Sequence, residues 1–361
     1  MDAGRAEALL AWGARYLRDL PWRATRDPWA ILVSEVMAQQ TGVDRVIPYW
    51  HAFLARFPTP TACAAAPVGD VVRLWSGLGY NRRAVNLHRC AVAVVERHRG
   101  TLPDDLAALL ALPGVGPYTA RAVLAFAFER PVGVVDTNVG RVLARWDHRS
   151  LSARDAQARA DALVRTAEDG VANRDGDGGR VAGALAGAAA GGVANRDRDA
   201  GAVVRTAEGA GADRDLDAGA PPRSPGGANG AGGGTAVAGP MPAWVWNQAV
   251  MELGGTVCRR RRPDCPACPV RRWCSWAAAG LTPPDPADGS AGVSTGQPRF
   301  EGSDRQGRGR LVEALCHGPV ATADAAAVMG WPDDPTRADR VVVGMLADGL
   351  ATTDGDTLRL P

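Results

Sequence analysis

Lysine is absent from the 361-residue chain, so all 41 of its basic residues are arginine. That excludes any mechanism that needs a lysine side chain, Schiff-base formation among them. Long apolar runs are also missing: no stretch approaches the length of a membrane span, and the N-terminus lacks a basic-then-apolar signal pattern. These absences predict a soluble protein of the cytoplasm. Cysteine is scarce, with seven in all, four of them between Cys258 and Cys274. An odd count in such a chain argues for metal ligation over disulfides. The length suggests about two domains.

One segment lacks aromatic residues altogether. From Thr166 to Pro240 there are 19 Gly and 20 Ala and no Phe, Tyr or Trp, so it holds too little apolar surface to offset its ordering entropy. It also repeats itself, Val171-Ala-Asn-Arg-Asp175 as Val193-Ala-Asn-Arg-Asp197 and Val164-Arg-Thr-Ala-Glu168 as Val204-Arg-Thr-Ala-Glu208. Unequal spacings point to tandem expansion rather than a solenoid. We read residues 166 to 240 as a disordered Gly/Ala-rich insert, dispensable for activity. Without it the chain has 34 Arg against 29 acids, a mildly basic balance that suits a polyanionic partner.

Strand-like alternation is scarce elsewhere. Short amphipathic segments separated by Pro and Gly predict helices at Trp29 to Gln40, Val43 to Phe57, Val68 to Ser76, Arg82 to Arg97 and Trp244 to Gly254, an all-α pattern. A Pro/Gly/Ser-rich linker, 281 to 297, precedes a module at 298 to 361. Helical patterns at Gln306 to Cys316, Ala321 to Met329 and Arg337 to Gly349, followed by a hairpin turning at Asp354-Gly355, suggest a winged helix.

Three groups of residues carry chemistry. Cys258, Cys265, Cys268 and Cys274 follow the spacing C-x6-C-x2-C-x5-C, which as spacing permits either tetrahedral zinc or a [4Fe-4S] cluster. Arg259 to Arg262, with Arg271 and Arg272, lie between these ligands, where they could meet phosphates or form a solvated basic loop. Leu112-Pro-Gly-Val-Gly116 sits between two helical segments. Its Gly114, Val115 and Gly116 can turn backbone N–H groups toward a phosphate, or serve only as a connecting turn. The third group is a pair of acids. Asp136 ends an apolar run and reads as a helix N-cap whose second oxygen can face a ligand. Glu35 lies in an apolar helix, either on its solvent flank or near the edge of its apolar surface, where desolvation would raise its pKa. Two carboxylates in different environments are what cleavage through an oxocarbenium-like transition state requires.

The cysteine interval resembles the cluster loop of the endonuclease III and MutY families, which favours [4Fe-4S] over zinc. Leu20-Pro-Trp-Arg23, Val33-Ser-Glu-Val-Met-Ala-Gln-Gln-Thr41, Trp75-Ser-Gly-Leu-Gly-Tyr80, Leu112-Pro-Gly-Val-Gly-Pro-Tyr-Thr-Ala120 and Val135-Asp-Thr-Asn-Val139 occur in the order seen in MutY-type adenine DNA glycosylases. The resemblance covers residues 9 to 165 and 241 to 276. It implies a helix-hairpin-helix glycosylase of base excision repair that removes adenine mispaired with 8-oxoguanine or guanine in double-stranded DNA, a nucleoid-associated monomer with no membrane partner. The implied architecture is a six-helix domain (22 to 135) beside an iron-sulfur cluster domain (1 to 21, 136 to 165 and 241 to 279).

Position by position, the resemblance implies that Glu35 protonates adenine N7 and later assists water, and that Asp136 stabilises the sugar cation. Tyr118 and Asn138 match residues supporting this pair. Arg18, Leu20 and Trp22 match the adenine pocket; Gln40 and Tyr80 match side chains wedged into the duplex, and the Gln39-Gln40 pair argues for adenine. Tyr118 stands where related endonuclease III enzymes have the lysine that cuts the strand, so the resemblance implies a monofunctional enzyme. Two departures stand out: the 8-oxoguanine-reading Nudix-like domain of many MutY enzymes has no counterpart, and Asn81 replaces a common second tyrosine. Two other readings stay open, a thymine glycosylase acting on G:T mismatches and a non-catalytic iron-sulfur DNA-binding regulator.

Overall fold

The computed structural model describes residues 3–172, 242–290 and 299–361. Its first half is organised around one helix, α2 (Pro28–Ala38). Asp27 accepts a hydrogen bond from Trp29 N at 3.0 Å, and Pro28 supplies the fixed φ of a first helical position, so the start is capped from both sides. Every residue from Trp29 to Met37 is buried. A helix apolar all round must be enclosed, and α3 (Val43–Arg56), α6 (Arg82–His98) and α8 (Pro117–Phe126) enclose it. The short helices α4 (Pro60–Ala64), α5 (Val68–Trp75) and α7 (Leu106–Leu110) complete this layer. Phe53 packs edge-on to Phe57 and Trp75, with centroids 5.2 and 6.3 Å away. Trp29 Nε1 donates to Phe57 O at 2.9 Å and Trp50 Nε1 to Ala30 O at 2.8 Å, so the indoles are buried without orphaned donors.

The second half gathers distant parts of the chain. Helix α1 (Ala3–Tyr16) packs on α10 (Ala153–Ala172) and α11 (Pro242–Thr256), and α11 also lies against α9 (Thr137–Asp147). The short α12 (Ser275–Ala278) closes the cysteine loop onto α9. Helix α10 runs past Arg165 to Ala172, so the first seven residues assigned to the insert are helical. Leu163, Val164 and Ala167 continue its buried stripe, which composition alone hid. The remainder of the insert lies outside the described residues. Ala243 N donates to Glu168 Oε1 at 3.1 Å, so the two flanks of that segment meet in space.

The segment expected to be a linker is packed over its first part. Residues 281 to 290 pack onto the second half: Asp285 pairs with Arg145 at 2.5 Å, and buried Ser290 accepts from Leu151 N at 3.2 Å. Pro- and Gly-rich text reports the lack of a helix, not the lack of packing. Residues 291 to 297 lie outside the described residues.

The C-terminal module has the winged-helix order α13 (Asp304–His317), β1 (Val320–Ala321), α14 (Ala325–Met329), α15 (Pro335–Asp348), β2 (Thr352–Asp354) and β3 (Thr357–Arg359). The strands form an antiparallel sheet in the order β1-β3-β2. Ala321, expected to begin a helix, pairs with Thr357 instead, a long-range contact that local pattern does not encode. Asp354 pairs with Thr357, which places the hairpin loop at Gly355-Asp356, one residue later than expected. The module is docked: Gly69 N donates to Pro361 O at 2.8 Å, and Asp348 forms ion pairs with Arg82 and Arg308.

Because Glu168 already touches Ala243, replacing residues 176–238 with a short Gly/Ser loop closes the chain without strain. A loop-entropy difference on the order of 1 to 2 kcal/mol is expected to favour the shortened form. Thermal melting of the two proteins checks this; a lower melting temperature or a disrupted helical spectrum in the shortened protein would refute it.

Candidate active site

Enclosure of α2 carries Glu35 with it. The residue is 8 % exposed, deeper than the apolar edge expected for it, because helices cover α2 on every side. Burial pushes its carboxyl up to about 7, with repulsion from Asp136 adding and Tyr118 and Arg23 opposing. Tyr118, on the first turn of α8, donates its hydroxyl to Glu35 Oε2 at 2.7 Å. Burial, and then the two acids, raise the Tyr118 pKa well above its usual value, so the phenol stays a donor.

Asp136 is the N-cap of α9. Its Oδ1 accepts from Val139 N at 2.7 Å and its Oδ2 from Asn138 Nδ2 at 2.8 Å. Burial raises its pKa, while those two donors and Arg141 pull it back. The capping and site readings of Asp136 therefore coexist in one side chain, half-buried beside Glu35. Asn138 is itself held, since Arg141 Nη2 donates to its Oδ1 at 2.9 Å. A Cβ on Gly254 of α11 would stand 2.6 Å from Asn138 Cβ, so only glycine permits that approach.

Residues not anticipated from sequence hold the rim. On α11, Asn247 Oδ1 accepts from Val134 N at 3.0 Å and its Nδ2 donates to Val132 O at 2.9 Å, fixing the segment that leads to Asp136. Glu252, 1 % exposed, accepts from Arg18 Nε at 2.5 Å and Arg23 Nη2 at 2.8 Å. Gln248 takes Arg23 Nε at 2.8 Å. The Leu20-Pro-Trp-Arg23 motif is thereby clamped to α11, with Leu20 buried and Trp22 edge-on to Trp50 at 6.0 Å. Asn247, Gln248 and Glu252, polar side chains in a largely apolar helix, were the readable signal for this role.

A second arginine organises the opposite edge. Arg83 donates to the carbonyls of Val36, Met37 and Gln39 at 2.8, 2.9 and 2.6 Å, and to Gly79 O at 2.9 Å. It caps the end of α2 and ties it to the turn before α6, although burial lowers its pKa to about 10. Gln40 and Tyr80, on either side of this clamp, both have left-handed backbones, at φ 59° and 50°. Strain of that kind in non-glycine residues clusters at functional surfaces. Gln39 turns inward, donating to Thr119 Oγ1 at 3.3 Å. It lines a cavity of about 40 Å³ with Arg83, Asn86, Gly114 and Val115. In the hairpin, Val115 N donates to Leu112 O at 3.2 Å, Gly114 adopts φ 75°, and Gly116 caps α8, a turn that presents a helix N-terminus outward.

Cys258, Cys265, Cys268 and Cys274 line one small cavity with Arg145 and Trp276. Burial, then the neighbouring thiols, push Cys268 up to about 12. Arg145 Nη1 donates to Cys258 Sγ at 3.3 Å and to Arg259 O at 2.9 Å. Among the described residues, no three His, Cys, Asp or Glu side chains are grouped so as to hold one metal ion. Arg259 to Arg262, Arg271 and Arg272 are all exposed around the loop. Among the described residues, no helix is long and apolar enough to cross a membrane.

Residues 33–166 match the family described as HhH-GPD superfamily base excision DNA repair protein. The chain is 37% identical over 352 residues to the adenine DNA glycosylase of Mycobacterium tuberculosis (strain CDC 1551 / Oshkosh), covering 96% of this chain and 90% of that protein. It is 36% identical over 350 residues to the adenine DNA glycosylase of Mycolicibacterium smegmatis (strain ATCC 700084 / mc(2)155), covering 96% and 93%. Its fold is similar to that of a thermostable thymine-DNA glycosylase, with a TM-score of 0.51 at 20% identity, over 76% of this chain and 97% of the other. At that identity the likeness speaks for the fold alone.

Raising the Glu35 carboxyl from 4.5 to about 7 has a defined effect on stability. The folded state binds this proton more tightly than the unfolded one, so ionisation withdraws stability as pH rises through that window. Glu35→Gln is therefore expected to melt with wild type near pH 4 and above it, by on the order of several degrees, at pH 8. Melting curves across that range check this; equal melting temperatures at pH 8 would show that the carboxylate is not desolvated.

Proposed function

We propose, on the premise that this chain belongs to the adenine DNA glycosylase family within the HhH-GPD superfamily of base excision repair proteins, that it releases adenine mispaired with 8-oxoguanine or guanine in double-stranded DNA. The observation that carries this reading is the Tyr118–Glu35 contact of 2.7 Å beside Asp136, with the Glu35 carboxyl raised to about 7. A group of that pKa retains a transferable proton near neutrality.

The chemistry follows from the two environments. An adenine extruded from the stack receives the Glu35 proton at N7, the C1′–N9 bond breaks, and its electron pair leaves with the base. Positive charge develops at the sugar, where the Asp136 carboxylate, held by Val139 N and Asn138, opposes it. Water then attacks C1′ and returns a proton to Glu35, leaving an abasic site. With tyrosine at 118 and no lysine in the chain, the reaction ends there, without strand cleavage.

The four thiols suit a [4Fe-4S] cluster better than zinc. One zinc ion would draw its sulfurs within about 2.3 Å of a single point, whereas a cluster takes one thiolate on each of four irons. The cysteines share one cavity, and their C-x6-C-x2-C-x5-C interval, which resembles the endonuclease III and MutY cluster loop, supports the second case. When bound, the cluster would cross-link the loop that carries the exposed arginines. Cys258, Cys265, Cys268 and Cys274 would hold it, and Arg145 would offset thiolate charge. A substrate within chromosomal DNA supports a cytoplasmic, nucleoid-associated location for a protein proposed to act as a monomer.

Single-turnover base release from duplexes with adenine opposite 8-oxoguanine or guanine, and thymine opposite guanine, tests the reading. Adenine release is expected, falling by about 10²- to 10⁴-fold in Glu35→Gln. The rate is expected to decline as pH rises through about 7, where Glu35 loses its proton, and to decline at low pH as Asp136 gains one. Thymine release in place of adenine release would move the assignment to the G:T specificity. No release on any duplex would favour a DNA-binding regulator, and nicking before alkali would overturn the monofunctional assignment. Elemental analysis of the purified protein is expected to show iron with sulfide; stoichiometric zinc would refute the cluster.

A further inference from the structure

The winged-helix module meets the catalytic half at Tyr80, the residue read as a duplex wedge. Arg305, on the first turn of α13, donates from Nη1 to Tyr80 Oη at 2.9 Å and lies 5.7 Å from the Tyr80 ring centroid. The same guanidinium lies 5.2 Å from the centroid of Phe300. Phe300 is 54 % exposed, a large aromatic ring left in water beside a positively charged group.

That ring sits on a turn held from several directions. Phe300 O accepts from Ser303 N at 3.1 Å and from Ser303 Oγ at 2.6 Å. Gly302 N donates to Gln306 Oε1 at 2.8 Å, while Gln306 N donates to Ser303 Oγ at 3.3 Å, a reciprocal helix cap. Arg337 donates to Gly302 O at 2.8 Å and to Asp304 Oδ1 at 2.7 Å, which ties the turn to α15. A preordered exposed ring loses little entropy when something stacks on it. Exposed aromatics next to arginines on a surface that tracks a phosphate backbone are how proteins hold unpaired bases.

We infer that Phe300 is a base-stacking residue: with Tyr80 and Arg305 it forms a continuous platform that receives the unpaired purine left in the duplex after its partner is extruded. This rests on the glycosylase reading, since it is the extrusion that creates the unpaired base. The platform gives the winged-helix module a part in holding the opposite strand.

Equilibrium binding of the full-length, metal-replete protein tests this without requiring base release. Two duplexes of one sequence are compared by fluorescence anisotropy at fixed salt: one fully paired, the other with a tetrahydrofuran abasic analogue opposite guanine. Phe300→Ala is expected to weaken binding to the abasic duplex by about tenfold, the scale of one lost base–aromatic stack, and to change binding to the paired duplex by less than about twofold. Phe300→Trp is expected to retain wild-type affinity, since a larger ring still stacks. Equal losses on both duplexes, or unchanged affinity of Phe300→Ala for the abasic duplex, would overturn the inference. Wild-type protein that releases no adenine would count against the glycosylase reading alone, and the affinity comparison would still decide the stacking role by itself.

Discussion

A carboxyl group taken out of water is the constraint around which this molecule is arranged. Helix α2 is apolar on all sides and can fold only if enclosed, and Glu35 sits among its buried residues. Leaving that group ionised and unsolvated would oppose folding strongly. The structure answers with a raised pKa, a hydroxyl from Tyr118 and the distant positive charge of Arg23. The same features that make the residue tolerable make it a proton donor near neutrality.

The other acid is kept different by its place in the chain. Asp136 caps a helix and accepts two hydrogen bonds, which oppose the burial that raises its pKa, whereas Glu35 accepts one, from Tyr118. Its position depends on α11, which lies more than 100 residues later. Asn247 pins the strand-like segment before Asp136, Gly254 admits Asn138, and Glu252 with Gln248 clamps Arg23. One helix thus sets both the second acid and the pocket rim, and removing one partner of its buried Glu252 ion pairs would leave an uncompensated charge inside. The Gly/Ala-rich segment interrupts the chain just before this helix, yet Glu168 and Ala243 touch across the gap.

Arg83 plays the matching role on the outer edge. By capping α2 and binding Gly79 O, it joins Gln39 and Gln40 to Tyr80, and Arg305 extends that edge onto the C-terminal module. The surface that faces DNA in the proposed reaction is therefore assembled from both halves of the chain and stiffened by guanidinium groups. A chain without lysine has used arginine in each of these places, where several planar donors serve several carbonyls at once.

The sequence by itself determined the helical class, the bounds of α2, α3, α5 and α6 to within two residues, the three helices and hairpin of the C-terminal module, and the motifs containing Glu35, Tyr118, Asp136 and the four cysteines. Those are legible because hydrophobic period, capping residues and ligand spacing are local properties. Only the tertiary structure decided how deeply Glu35 is buried, that α10 reaches Ala172, that Asp285 of the expected linker pairs with Arg145, and that Asn247, Glu252 and Arg83 position the site. Each of these depends on groups far apart in the chain sharing one desolvated space. Local sequence does not encode dielectric surroundings or long-range partners, and those are what set a pKa or aim a side chain.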